Sequence, residues 1–439
     1  MTKKQTEYIC SNCGYVSPVW FGKCPSCNLW DVAVSYERER KKSTKTIKVN
    51  KETLNSISLE SKPRFLTGLN EFDRSIGGGI VPGSVTLLSG EPGIGKSTIM
   101  LQICEMVAKN GKVLYFTGEE SAKQIKLRAE RLNLKNQNNI DIVSSFDIEP
   151  TIESIETEDY ILIVFDSLQT IKKGSLPGIP GSIIQVREAA NDIVNKAKTT
   201  GIPIFIVTHV TKMGNIAGPK AVEHLVDCVL FFESGKKGYR ILRTLKNRFG
   251  PSDEISVYEM SSSGLIQIED ISSIFVDEYS SAPGNVISVV NEGSRSFFVE
   301  IQSLVSKPIY GTPRKLTSGV SLDRVLLTSA VLTKRLGVPL DSMDVYVNVA
   351  GGLQIKDTAT DLAIALSLLS SFSDKSIPVN FVSFGEIALD GTLRSVYGSE
   401  KRLDRINRSN KTGLYPDKKN GMHDVKDLFG FLRRIGNGS

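Results

Sequence analysis

Residues Gly90–Thr98 read Gly-Glu-Pro-Gly-Ile-Gly-Lys-Ser-Thr, a full match to the phosphate-binding pattern G-x-x-x-x-G-K-[ST]. The pattern constrains the fold because it works only between a strand and a helix N-terminus. Ser84–Ser89 is a short apolar run, and Thr98–Lys109 spaces Ile99, Ile103, Met106 and Val107 along one helical face. Gly90, Gly93 and Gly95 would let the backbone turn its N–H groups onto a β-phosphate. Lys96 would neutralise β/γ oxygens, and the Ser97 hydroxyl would complete a Mg²⁺ shell. Contacts to a nucleoside triphosphate are therefore expected from Gly90, Glu91, Pro92, Gly93, Ile94, Gly95, Lys96, Ser97 and Thr98.

Downstream, apolar strands alternate with amphipathic helices, the pattern of a mainly parallel α/β sheet covered by helices. The expected strands are Val85–Leu88, Val113–Phe116, Ile140–Val143, Ile161–Phe165, Ile204–Val207, Val229–Phe232 and Tyr239–Leu245. Tyr160–Asp166 is a buried run ending in an acid, and Asp166 would hold Mg²⁺ through its water shell. Val113–Ser121 ends in two carboxylates, and strand C-termini line the ligand crevice of such sheets. Glu119, or its neighbour Glu120, is the expected polariser of the hydrolytic water. His209, at the end of the Ile204–Val207 strand, would sense the γ-phosphate. Lys236–Gly250 holds six basic residues and no acid; Lys246 and Arg248 would reach the γ-phosphate of a neighbouring subunit.

At the other end, Cys10-x-x-Cys13 and Cys24-x-x-Cys27 supply four thiolates for a closed, structural Zn²⁺ site of the zinc-ribbon or rubredoxin-like kind, with redox cysteine pairs or an iron–sulfur site as the alternatives. Cys104 and Cys228 sit in apolar surroundings and read as core. Residues 1–64 carry twelve Lys or Arg against six Asp or Glu, the whole formal excess of +6. Four zinc-bound thiolates would trim the total to +4, a mild bias compatible with nucleic acid. No run of eighteen apolar residues occurs, so a cytoplasmic protein without membrane contact is expected. The expected domains are 1–35 (a four-cysteine zinc finger), 36–58 (basic linker), 59–270 (ATPase) and 271–439. In the last, short strands (Val286–Val290, Phe297–Ile301, Val345–Ala350, Asn380–Phe384) mix with helices at Ser321–Arg335 and Thr360–Ser371.

These motifs in this order resemble the bacterial RadA (Sms) family over nearly the whole chain. Besides the four-cysteine knuckle and the phosphate loop, the resemblance is carried by Gly-Gly-Gly-Ile-Val-Pro-Gly-Ser at Gly77–Ser84 and Gly-Glu-Glu-Ser at Gly118–Ser121. His-Val-Thr-Lys at His209–Lys212, Glu-His-Leu-Val-Asp at Glu223–Asp227 and Lys-Asn-Arg-Phe-Gly at Lys246–Gly250 complete it. The resemblance implies a RecA-like ATPase core using ATP and Mg²⁺, assembled as a hexameric ring. It also implies movement on single-stranded and branched DNA, branch migration during recombination and repair, and RecA recombinase as a partner. Lys246 and Arg248 would act in hydrolysis across the subunit interface or in nucleotide-linked DNA binding. Loops Lys172–Arg187 and Val210–Lys220 would face DNA in the channel.

Residues Asp344–Gly352, Lys356–Ala365 and Phe384–Gly391 resemble the Lon protease domain. The Ser position of active Lon-type enzymes falls at Thr360 and the Lys position at Glu400, beside Lys401, so the nucleophile–base pair is missing and proteolysis is not expected. An ATP-dependent protease, a RecA-type strand-exchange filament and a nucleotide-switched binding module are the competing readings.

Overall fold

The computed structural model describes residues 5–10, 15–38, 53, 63–176, 180–209, 222–235, 238–276, 279–308, 311–417 and 422–436. Cys13, most of the basic linker, the Val210–Lys220 loop, Lys236 and Lys237 lie outside them. The chain divides into two units, Met1–Glu233 with Arg240–Gln267, and Ser234–Tyr239 with Ile268–Ser439.

In the first unit, β1 (Gln5–Cys10) pairs antiparallel with β2 (Val16–Ser17) and β3 (Ala33–Arg38). After α1 (Asn70–Ser75) the main sheet begins with β4 (Val85–Gly90), followed by α2 (Lys96–Val107), β5 (Lys112–Thr117) and α3 (Ala122–Arg131). It continues with β6 (Ile140–Ser144), α4 (Glu149–Ser154), β7 (Tyr160–Asp166), α5 (Ile183–Thr200) and β8 (Ile204–Val207). A meander of β9 (Cys228–Ser234), β10 (Tyr239–Asn247), β11 (Ile255–Ser261) and β12 (Gly264–Ile268) finishes it. Among the described residues the strand order is β12-β11-β10-β9-β4-β8-β7-β5-β6. The strands from β9 to β6 run parallel.

All six residues of β4 are buried, because both faces of the sheet are covered. Ile99, Ile103 and Val107 of α2 and Ile125 of α3 pack with Leu88 on one face. Val186, Ala189, Ile193 and Ala197 of α5 pack with Val85 and Leu87 on the other. Two features depart from the sequence expectation. Strands β11 and β12 extend the sheet past β10. Arg187 lies on α5 rather than in a loop, because Val186, Ala189, Ala190 and Ile193 bury one face of a helix that starts at Ile183.

The second unit contains α6 (Ile271–Val276), β13 (Asn285–Glu292), β14 (Arg295–Ser306), β15 (Lys315–Ser318), α7 (Leu322–Leu336) and β16 (Asp344–Val349). Next come α8 (Asp361–Ser373), β17 (Phe381–Ser383), β18 (Glu386–Ile387), β19 (Leu393–Arg394), α9 (Ser399–Arg408), β20 (Thr412–Leu414) and α10 (Lys426–Gly436). Its mixed sheet has the order β15-β16-β14-β13-β17-β20. Residues Asp361–Ser370 of α8 are all buried, which makes this helix the centre of an α+β layer. Helix α9 carries the Glu400 and Lys401 positions, and α10 adds a helix beyond those expected. Helix α9 buries only Arg402 and Ile406, and α10 buries Leu428, Phe431 and Leu432 along one face. Among the described residues no helix is long and apolar enough to cross a membrane.

Candidate nucleotide site and zinc ribbon

The phosphate loop leaves β4 at Gly90 and enters α2 at Lys96. Gly95 has φ of +115°, a conformation that strains any residue with a Cβ, so the turn into α2 favours glycine there. No side chain caps α2, which leaves its first N–H groups directed at an incoming anion. Ser97 stands half-buried in that first turn. Lys96 is buried, and its Nζ donates to the carbonyls of Gly90 and Glu91, each at 2.8 Å. Burial lowers its pKa to about 8, while Asp166 and Glu119 pull it upward. A buried ammonium resting on loop carbonyls fits a polyphosphate that would replace them.

Asp166 closes β7 and is buried; its Oδ2 accepts a 2.6 Å hydrogen bond from the hydroxyl of Tyr115 on β5. Burial holds the Tyr115 hydroxyl well above its ordinary pKa, so it stays a donor. One carboxylate oxygen is thereby pinned; Oδ1 is the oxygen that would face the water shell of a Mg²⁺ ion held with Ser97. Sequence reasoning missed Tyr115, because an aromatic residue in a buried strand gives no outward sign of a polar partner.

The two acids after β5 have different surroundings. Glu120 pairs with Arg128 of α3 at 2.6 Å. Glu119 Oε1 accepts from Ser167 Oγ at 2.7 Å and from His209 Nε2 at 3.2 Å. The hydrogen bond from His209 lowers the Glu119 pKa to about 2, with Ser167 contributing against the opposing effect of burial. Such a carboxylate is ionised at neutral pH and suits orienting a water better than fully removing its proton. Gln169 donates to the His209 carbonyl at 2.9 Å, and His209 Nδ1 is buried with no partner among the described residues. Lys96, Glu119, Asp166 and His209 thus stand at the C-terminal ends of β4, β5, β7 and β8.

Lys246 and Arg248 occupy the other end of the sheet. Asp227, which precedes β9, accepts a hydrogen bond from Val85 N–H at 3.0 Å and donates its own N–H to Val85 O at 3.0 Å. Arg248 Nη1 meets Asp227 Oδ1 at 3.2 Å, and Lys246 Nζ donates to the carbonyls of Glu223 and Val226 at 2.8 Å each. Val85 is the first residue of β4 and Gly90 the last, so about 17 Å of strand separates these cations from the phosphate loop of their own chain. The segment is held rigidly. Arg64 donates to the carbonyls of Gly77 and Phe249, and a Cβ on Gly250 would come 2.7 Å from Gly77 Cα.

In the ribbon, Cys10, Cys24 and Cys27 bring their Sγ atoms within 4.8 Å of one another, with Cys10 and Cys27 at 3.6 Å. A disulfide would need about 2.05 Å. A tetrahedral zinc tetrathiolate with bonds near 2.3 Å has sulfur–sulfur edges of about 3.8 Å, so the donor set fits zinc. Cys13, the expected fourth ligand, lies outside the described residues.

In the second unit, Thr360 is buried and its hydroxyl donates to Asp357 O at 2.8 Å. Lys401 faces solvent. The inward residue of α9 is Arg402, which donates to Asp357 Oδ2, to Val289 O at 3.3 Å and to Tyr397 O at 2.5 Å. A guanidinium stays protonated and cannot act as a base.

Three family models match the chain: "AAA domain" over residues 62–215, "Rubredoxin metal binding domain" over 8–32 and "Subunit ChlI of Mg-chelatase" over 309–419. The DNA repair protein RadA of Halalkalibacterium halodurans is 42% identical over 96% of this chain and 94% of its own length. That of Aquifex aeolicus is 42% identical over 93% and 92%. A solved RadB recombinase matches 46% of this chain and 99% of its own at 22% identity, with a TM-score of 0.38. The architecture is a RecA-like P-loop ATPase core with an N-terminal zinc ribbon and a C-terminal α+β Lon-protease-like domain. By identity over almost its entire length, the chain belongs to the RadA family of DNA repair proteins.

Proposed function

We propose that this protein is an ATP-driven motor on DNA that promotes branch migration of recombination intermediates, built as a ring of copies, six in number. Lys96 and the loop N–H groups bind ATP, Ser97 and Asp166 hold Mg²⁺, and Glu119 orients the attacking water. Lys246 and Arg248 complete the nucleotide site of the adjacent copy. The relatives' name, DNA repair protein, supports the setting. A recombinase of the RecA type would supply the intermediates.

The observation that carries this reading is the position of Lys246 and Arg248 at the end of the sheet remote from their own phosphate loop. Basic residues held so firmly there, in a chain with an otherwise well-furnished ATP site, suit a neighbour's γ-phosphate. Hydrolysis would then depend on assembly. A three-strand branch-migration assay tests it with wild type, Lys96→Ala and Lys246→Ala. The junction should move only with wild type; equal movement by all three proteins rejects the motor.

A further inference from the structure

Strand β20 ends the mixed sheet of the second unit and, among the described residues, pairs only with β17. Thr412 N–H donates to Asn380 O at 2.7 Å, and Leu414 O accepts from Phe384 N–H at 3.0 Å, so these two residues turn their backbone groups to β17. Gly413, between them, turns its N–H and C=O to the open edge. Helix α10 stands beside that edge, anchored by the buried Leu428, Phe431 and Leu432 and by the ring contact of Phe431 with Phe381 at 5.1 Å. Between strand and helix lies a groove of about 460 Å³, lined by residues 412–415, Met422 and one face of α10. On that face Lys426, Gly430 and Arg434 recur every four residues, and all three are exposed. A Cβ on Gly430 would meet nothing within 4 Å, so the groove stays open between the two cations. Asp427, the acid of the lining, is already engaged: its Oδ2 accepts from His423 N–H at 2.7 Å and from Asp424 N–H at 2.9 Å. Among the described residues neither Lys426 nor Arg434 has a carboxylate partner.

We infer that this groove takes an extended acidic segment of a partner protein, which adds a strand to β20 through Gly413 and sets its carboxylates against Lys426 and Arg434. The arrangement specifies the segment. Eight residues of helix carry Arg434 about 12 Å beyond Lys426 along the axis. On an extended chain, residues i and i+4 share one face and stand about 13 Å apart. The matching segment therefore reads acid-x-apolar-x-acid, its central side chain settling over Gly430 against Met422 and Leu414. Strand pairing satisfies the segment's backbone, and the two cations select its sequence. Nucleic acid is a poorer occupant, because it has no row of N–H and C=O groups to pair with the Gly413 edge.

The test uses the full chain and a displayed library of random heptapeptides. Wild type should enrich peptides with acids four positions apart around an apolar residue. Gly430→Leu, whose side chain fills the groove, should not, while its thermal midpoint is no lower and its ATP turnover is unchanged. A labelled peptide carrying Glu-Thr-Leu-Thr-Glu, followed by anisotropy, should bind wild type and lose about tenfold or more in affinity to Lys426→Glu or Arg434→Glu. N-methylation at alternate peptide residues should abolish binding in one register and spare it in the other, the mark of pairing along one edge. No enrichment by wild type, a consensus without acids, or equal binding by Gly430→Leu would overturn the docking groove. Binding indifferent to N-methylation would overturn strand addition. Displacement of the peptide by an equal concentration of oligothymidylate would assign the cations to nucleic acid, and an altered sedimentation coefficient in Gly430→Leu would assign the groove to contacts between copies; either result overturns the proposal.

Discussion

Ser167 donates its hydroxyl hydrogen to Glu119 across 2.7 Å, joining the residue after β7 to the carboxylate two residues beyond β5. With His209 on the same oxygen, the other carboxylate oxygen of Glu119 is the one that would aim a water in the proposed hydrolysis. Glu119→Gln keeps the shape and removes the charge. Steady-state ATP turnover should fall about a hundredfold or more with nucleotide affinity retained. Ser167→Ala should cost less, since His209 still holds Glu119. Wild-type turnover in Glu119→Gln would remove this residue from the chemistry.

Tyr115→Phe deletes only the hydroxyl that pins Asp166 Oδ2. The Mg²⁺ concentration needed for half-maximal binding of a fluorescent ATP analogue should rise roughly tenfold, the scale of one hydrogen bond to a charged group. Affinity for the analogue without Mg²⁺ should not change. An unaltered Mg²⁺ dependence would mean that packing alone positions Asp166.

The lowered pKa of Lys96 gives nucleotide binding a pH dependence of definite sign. At pH above about 8 the free protein has lost much of the Lys96 proton. A bound polyphosphate favours the ammonium and raises that pKa, so binding takes up a proton and affinity falls as pH rises past about 8. Calorimetry near that pH, in buffers of differing ionisation enthalpy, should show the uptake for wild type. Lys96→Arg, whose side chain does not titrate there, should show none.

Among the described residues Arg402 is the largest fully buried side chain, and its partner Asp357 is mostly buried. Arg402→Met strands that carboxylate and should destabilise the second unit by about 3–5 kcal/mol, read from urea unfolding. Replacing Asp357 as well, by Leu, should recover part of the loss. A single variant as stable as wild type would show that the pair adds nothing.

The placement of the candidate site was legible because the phosphate loop, the β7 acid and the acids after β5 are local patterns attached to strand ends. Reading the β8 end for His209 used the same logic. What escaped depends on which strands become neighbours. Tyr115 meets Asp166 only because β5 lies beside β7, and Ser167 meets Glu119 for the same reason. The register of α9 was equally hidden: a step of one residue turns a side chain by about 100°, which exchanges solvent-facing Lys401 for buried Arg402. The remoteness of Lys246 from its own phosphate loop required the hairpin of β9 and β10 to be seen beside β4.

Completion of each site by a neighbouring copy is best tested by mixing two defective proteins. Lys96→Ala lacks a working phosphate loop but keeps Arg248, and Arg248→Ala has the reverse defect. Each alone should be nearly inactive in ATP turnover. Mixed in equal amounts and allowed to exchange subunits, they should regain about a quarter of wild-type turnover, the chance that an intact loop meets an intact Arg248 in a ring. A mixture no more active than the sum of its separate components would contradict the account.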